Sequence, residues 1–126
     1  MRTLLDTHLM LWWLTGDPRL PKRAEQFIAD SENEVYVSAA SIWEVAIQSA
    51  LGRMEGNLTE IEAALETTGF LQLSVKGKHA VQVSKLPLYH HDPFDRMLIA
   101  QSIVEPMRLL THDKIVAKYG EMIILV

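Results

Sequence analysis

The sequence predicts an α/β protein, a central parallel sheet of about five strands with helices packed on both faces. Three observations predict it. Short apolar or β-branched runs alternate with helix-periodic segments along the whole chain. Gly and Pro fall at the junctions between them. A length of 126 residues with 48% hydrophobic side chains suits one domain, residues 1–126, with a core of its own.

Taken in order, Arg2 to Leu5 reads as the first strand, followed by a helix from Thr7 to Leu14 that ends at Thr15-Gly16-Asp17-Pro18. Pro21 suits the first position of a second helix, which reaches about Ser31. Glu34 to Val37 is the second strand, and Ala39 to Leu51 a long helix stopped by Gly52. Asn57 can cap a helix to about Thr67, closed by Gly69. Leu71 to Val75 is the third strand and Lys78 to Lys85 another helix. After a loop from Leu86 to His91, Asp92-Pro93 opens a helix through about Val104. Arg108 to Leu110 is the fourth strand, Thr111-His112-Asp113 opens a short helix to Tyr119, and Met122 to Val126 is the last strand.

Composition narrows the chemistry. With no cysteine there are no disulfides, thiolate nucleophiles or Cys-based zinc sites, which is compatible with a reducing cytosol. The run from Leu9 to Leu14 is too short for a membrane span, and no signal-peptide pattern is present. A formal charge of −4 argues against a broad basic surface for nucleic acid, so an RNA substrate would need divalent metal between acids and phosphate. The five histidines, His8, His79, His90, His91 and His112, lack a zinc-binding spacing and read as surface or packing residues. Ser38 and Ser41 lie in no nucleophile elbow, and there is no phosphate-binding Gly-rich loop.

The acids fall at places that a parallel sheet gathers together. Asp6 follows the first strand, Asp113 follows the fourth, Glu44 lies in the helix after the second, and Asp95 lies in the first turn of its helix. Ligands of open parallel sheets bind outside the carboxyl ends of the strands. Each acid also has a plainer reading: Asp6, Asp92 and Asp113 as helix caps, Asp95 as a first-turn acid, and Glu44 as part of a solvated stripe with Ser41 and Gln48. Periodicity alone does not choose. Two carboxylates about 4 Å apart repel by roughly 4 kcal/mol at an effective dielectric near 20, so a cluster of them calls for a cation. Oxygen-only ligands suit Mg2+ or Mn2+.

Four stretches resemble the PIN domains, and among them the VapC-type toxins of bacterial toxin-antitoxin pairs. They are Leu4-Leu5-Asp6-Thr7-His8, Ser38-Ala39-Ala40-Ser41-Ile42-Trp43-Glu44, the segment from Asp92-Pro93-Phe94-Asp95-Arg96 to Gln101, and Leu110-Thr111-His112-Asp113. The resemblance implies a PIN-like fold and a metal-dependent endoribonuclease. It implies an acidic core of Asp6, Glu44 and Asp95, with Asp113 as the fourth and more variable acid and Asp92 ranked below Asp95. It gives Thr111 a supporting hydroxyl. Arg96 could reach a phosphate, though it also reads as a solvated side chain, and His91 stands where relatives often carry Arg.

Asp6 and Asp95 would be the principal ligands of one or two ions. The implied partners are RNA, a cognate antitoxin and a second copy of the chain; no membrane is implied, and the expected location is the cytoplasm. The unbroken apolar run Leu9-Met10-Leu11-Trp12-Trp13-Leu14 needs cover on more than one side, either from the second helix or from another chain. Competing readings are a non-cleaving binding protein of the same fold, a phosphatase, which lacks its second Asp because His8 stands there, and a Mg2+-binding phospho-receiver. The last needs an Asp at the end of its middle strand, and Leu71 to Val75, read as that strand, contains none.

Overall fold

The computed structural model describes every residue except Glu55. Its strands are β1 (Arg2–Leu5), β2 (Glu34–Ser38), β3 (Leu71–Leu73), β4 (Arg108–Thr111) and β5 (Ile123–Leu125). All pair in parallel, in the order β3-β2-β1-β4-β5. The helices are α1 (Thr7–Thr15), α2 (Lys22–Ala29), α3 (Ala39–Ala50), α4 (Leu58–Thr67), α5 (Gly77–Val83) and α6 (Pro93–Val104), with a 3-10 turn over Val116–Tyr119.

Side chains two apart on a strand share a face, and this divides the core. Leu5, Val35, Val37 and Leu110 join Leu9, Met10, Ala24, Ile28, Val45 and Ile61 on the side of α1 to α4. Leu4 and Leu109 join Leu98, Ile99, Ala100, Met107 and Val116 on the side of α6. The result is three layers, as the alternation of elements predicts. Buried His79 has a packing role: its Nδ1 accepts the Lys76 amide at 3.0 Å and its Nε2 lies 2.5 Å from Glu105, tying α5 to the end of α6.

Three expectations change. Thr111-His112-Asp113 does not open an α-helix: Thr111 is the last residue of β4, and only Val116–Tyr119 turns, as a 3-10 helix. The third strand is not the middle one. It lies at the edge, and β1, which leads into Asp6, is central. The missing acid of β3 therefore does not exclude a phospho-receiver; the strand order does, because receivers are wound 2-1-3-4-5. Third, α1 is covered chiefly by α3 and α4, with α2 adding Ala24 and Ile28 to the same cluster. Trp12 and Trp13 stay half-buried, Trp12 between His8 and His112, and Trp13 against Phe70. Among the described residues no helix is long and apolar enough to cross a membrane.

Candidate metal centre

From β1 the chain runs outward through β2 to β3, then returns to place β4 on the other side of β1. Strand order reverses between β1 and β4, and the crevice at their carboxyl ends is where such sheets hold ligands. Asp6 follows β1 directly and Thr111 ends β4. The Asp6 amide donates to the Leu110 carbonyl at 3.0 Å, which extends the β1–β4 register by one bond and fixes Asp6 in the crevice.

Asp6 is 5% exposed, and both its oxygens are engaged. Oδ1 accepts the Leu9 amide at 2.8 Å and caps α1; Oδ2 accepts the Thr111 hydroxyl at 2.6 Å and the His112 amide at 3.2 Å. The Thr111 hydroxyl in turn accepts the Asp113 amide at 3.1 Å, so one hydroxyl joins the two acids. Asp113 Oδ1 accepts the Ile115 amide at 2.7 Å, and its Oδ2 lies 3.1 Å from His90 Nε2. Asp92 Oδ1 caps α6 by accepting the amides of Phe94 and Asp95 at 2.9 and 3.0 Å. Capping and site chemistry are thus not exclusive. In Asp113 the oxygen that accepts the Ile115 amide is not the one that faces His90.

α3 carries Glu44 to the same place. Its N-terminus is set by Ser38, whose hydroxyl accepts the Ala40 amide at 3.0 Å and donates to Gln101 of α6 at 2.6 Å. One turn on, buried Thr7 and Ser41 pair at 3.0 Å and join α3 to α1. Glu44 Oε1 is buried with no hydrogen-bond partner among the described residues. An unpaired buried carboxylate oxygen is costly, and a cation is the partner that suits it. Burial raises the Glu44 carboxyl; the nearby Thr7 hydroxyl and His8 oppose this, and Asp92 and Asp6 add to it.

Asp95 shows the strongest effect. Burial, then the negative charges of Asp92, Glu44 and Asp6, push its carboxyl up to about 7 against the pull of His90. These mutual influences bring Asp6, Glu44, Asp92 and Asp95 into one electrostatic unit. Asp113 moves the other way. Burial, the largest single influence, would raise it, but the Ile115 amide, the hydrogen bond and charge of His90 and the Val116 amide together bring it below the usual carboxylate range.

His90 reads from the sequence as a surface or packing residue that reaches the site only if its loop folds toward it, and the loop does so. Its ring lies between Asp95 (3.2 Å) and Asp113 (3.1 Å). Atoms of His90, Asp95 and Asp113 come within 4.8 Å of one another, a spacing compatible with a metal. However, His90 Nδ1 accepts the Asp92 amide at 3.0 Å, so the proton of the neutral ring sits on Nε2. His90 is therefore a hydrogen-bond bridge between two carboxylates rather than a ready ligand. No periodic signal exists in a loop, so only the order His-x-Asp-Pro hints at this turn. His91 is exposed.

Arg96 is not a phosphate contact. It is 9% exposed, and its guanidinium donates to the carbonyls of Pro87 (2.9 Å), His90 (3.3 Å), Val83 (3.0 Å) and Leu86 (3.4 Å). The Tyr119 hydroxyl completes the knot, accepting the His90 amide at 2.8 Å and donating to Pro87 at 2.7 Å. This clamp shapes the loop that delivers His90. Arg96→Ala should lower stability by about 3 kcal/mol, because four carbonyls lose a charged donor at once and the half-buried loop loses the group that gathers it. Arg96→Lys should recover little, since one ammonium cannot span the fork's contacts. Urea unfolding would measure both, and a loss under about 0.5 kcal/mol would refute the clamp.

Residues 3–122 match the family described as "PIN domain". The chain belongs to the PIN-domain family. Among curated proteins it is 31% identical over 118 residues to "Ribonuclease VapC22" of Mycobacterium tuberculosis (strain ATCC 25618 / H37Rv), covering 88% of this chain and 86% of that one. Among solved structures, PIN-like folds of similar size appear in VapBC2 from Rickettsia felis bound to a DNA fragment from its promoter (TM-score 0.70, 14% identity, covering 100% of this chain and 98% of that one). FitAcB from Neisseria gonorrhoeae gives a TM-score of 0.69 at 18% identity, covering 98% and 96%. A toxin-antitoxin complex from Klebsiella pneumoniae gives 0.69 at 14%, covering 97% and 95%. At these identities the solved structures bear on the fold alone.

Proposed function

We propose that this chain is a Mg2+-dependent endoribonuclease, with Mn2+ as an alternative ion, that acts as the toxin of a toxin-antitoxin pair. The observation that carries the reading is the coupling of four acids: the charges of Asp6 and Glu44 help push Asp95 to about 7, Thr111 joins Asp6 to Asp113, His90 joins Asp113 to Asp95, and Glu44 Oε1 is without a partner among the described residues. A set of carboxylates that disfavours its own ionisation is balanced by a divalent cation, and an all-oxygen set fits Mg2+ or Mn2+.

Asp6 and Asp95 would be the principal ligands, with Glu44 and Asp113 completing the set or orienting water. When bound, the cation supplies charge neutralisation at the phosphate and a water acidic enough to attack near neutral pH. The chain's own residues supply the rest. Thr111 holds the Asp6 carboxylate in one orientation and ties it to Asp113. His90 fixes Asp95 relative to Asp113, and Asp92 caps α6 so that Asp95 projects from its first turn. No nucleophilic side chain is required and no covalent intermediate forms.

The relatives support the partners. The solved neighbours named above include a toxin-antitoxin complex, and a groove of about 930 Å³ bordered by Trp12, Leu14, Gln48 and Arg53 opens beside Glu44. An antitoxin segment there could bring an Arg or Lys to the carboxylates and compete with the cation. A second copy of the chain is the other expected partner, and the cytoplasm the expected location. The purified, antitoxin-free protein should cut RNA with Mg2+ or Mn2+ and stop on addition of EDTA, followed by gel electrophoresis of the products. Cleavage that persists in EDTA would overturn the metal reading, and a soluble chain that cuts no RNA would favour a non-cleaving binding protein.

A further inference from the structure

A nuclease with this surface has an affinity problem. Proteins normally hold nucleic acid by setting Lys and Arg against phosphate, yet the formal charge is −4 and Arg96, the basic residue next to Asp95, is turned onto backbone carbonyls. Beyond the cation and a groove residue such as Arg53, binding gains from another part of the nucleotide. The base is the part that does not require positive charge, and single strands are commonly held by stacking bases on aromatic rings.

Two aromatic side chains sit one position before two of the acids: Trp43 before Glu44 on α3, and Phe94 before Asp95 on α6. Their rings meet edge to face, with centroids 5.4 Å apart and planes at 73°. Phe94 is half-buried and its amide is held by Asp92, so the cap that sets Asp95 also sets Phe94. Trp43 is 63% exposed, whereas Trp12 and Trp13 are half-buried. An aromatic side chain in contact with Phe94 is thus largely open to solvent beside the carboxylates.

We propose that Trp43, braced by Phe94, is a stacking platform for one unpaired base of single-stranded RNA, flanking the phosphate held at the acids. The inference rests on the nuclease reading and assigns Trp43 and Phe94 a part in it; such a platform takes an unpaired base, because the bases of an A-form duplex are stacked on one another and present no free face. A second copy of the chain is the less favoured occupant. A two-fold interface centred on Trp43 would bring Glu44, Asp92 and Asp95 of both copies toward each other, and like charges across an interface disfavour it.

The test combines kinetics with fluorescence. On a single-stranded oligoribonucleotide with Mg2+, Trp43→Leu should raise KM about tenfold with kcat changed less than about threefold, and Trp43→Tyr should restore most of the loss. Trp12→Phe with Trp13→Phe leaves Trp43 as the one tryptophan. Its fluorescence should be quenched by a single-stranded deoxyribonucleotide analogue that cannot be cut, and not by a fully paired duplex. Wild-type cleavage with an unchanged KM in Trp43→Leu and no quenching would overturn the platform. Equal quenching by the duplex would overturn the preference for unpaired RNA. If light scattering shows that Trp43→Leu dissociates a dimer, the residue belongs to an interface between copies and the proposal falls. A wild-type chain that cuts no RNA would fail the nuclease reading, while quenching would still judge the platform.

Discussion

Asp6→Asn should reduce RNA cleavage by about a thousandfold or more while leaving a folded protein. The amide keeps the shape of the side chain but removes the charge, and a bound cation contributes several kcal/mol to the transition state, each 1.36 kcal/mol being about tenfold in rate. Its structural cost is smaller and can be separated from the activity. Oδ1 would still cap α1 through the Leu9 amide, but an amide nitrogen in place of Oδ2 would face the Thr111 hydroxyl and the His112 amide. The hydroxyl can turn and accept; the His112 amide cannot. Loss of that one bond should cost about 1 kcal/mol, a fall of roughly 4 °C in melting temperature. A folded Asp6→Asn protein that keeps about a tenth of the wild-type rate, a loss of only about 1.4 kcal/mol, would remove Asp6 from the set of ligands.

The second large effect is on stability and has the opposite sign. Folding raises the Asp95 carboxyl from 3.8 to about 7, so the folded chain holds this proton more tightly than the unfolded one. The associated stability is complete below pH about 4 and is lost as pH rises through about 7. Without divalent cation, wild-type protein should therefore melt at a lower temperature at about pH 8 than at about pH 5. Glu44 shifts in the same direction and adds to the trend; Asp113 shifts the other way. Asp95→Asn cannot ionise and should be the more stable protein at about pH 8. The rise from 3.8 to about 7 bounds the gain at about 4 kcal/mol, reduced by the water that reaches this part-exposed carboxyl. Calorimetry of both proteins at the two pH values decides it. An Asp95→Asn protein that melts below wild type at the higher pH would show that Asp95 is not held against its own charge. A site residue whose removal stabilises the chain while abolishing cleavage is the usual signature of function held at a cost in stability.

Much of the fold is legible in the sequence because it depends on local periodicity. Apolar β-branched runs, Gly16 and Gly69 after helices, and the caps at Asn57 and Asp92 each carry a short-range signal that the structure follows. Sheet order carries no such signal. It follows from which hydrophobic faces close on one another, and the edge position of β3 is therefore invisible in its own residues. The segment after Thr111 reads as a helix because an Asx turn at Asp113 imitates an N-cap.

Among the candidate residues, the acids stand out because they fall at strand exits and helix starts. His90, Tyr119 and the true role of Arg96 are hidden, since a loop from Leu86 to His91 has no period and its shape is set by a guanidinium from the next helix. Arg96 follows an acid and precedes an apolar run, which reads equally well as a solvated position. Only the number of carbonyls converging on it shows otherwise.

That these acids together hold a catalytic divalent cation is tested most directly by titrating Mn2+ into cation-free protein by calorimetry and assaying RNA cleavage on the same samples. Saturable binding in the wild type is predicted. It should release close to one proton at about pH 6, where Asp95 is mostly protonated, and almost none at about pH 8.5. Asp6→Asn should neither bind nor cut. Wild-type cleavage without Mn2+ binding, or binding and cleavage unchanged in Asp6→Asn, would contradict it.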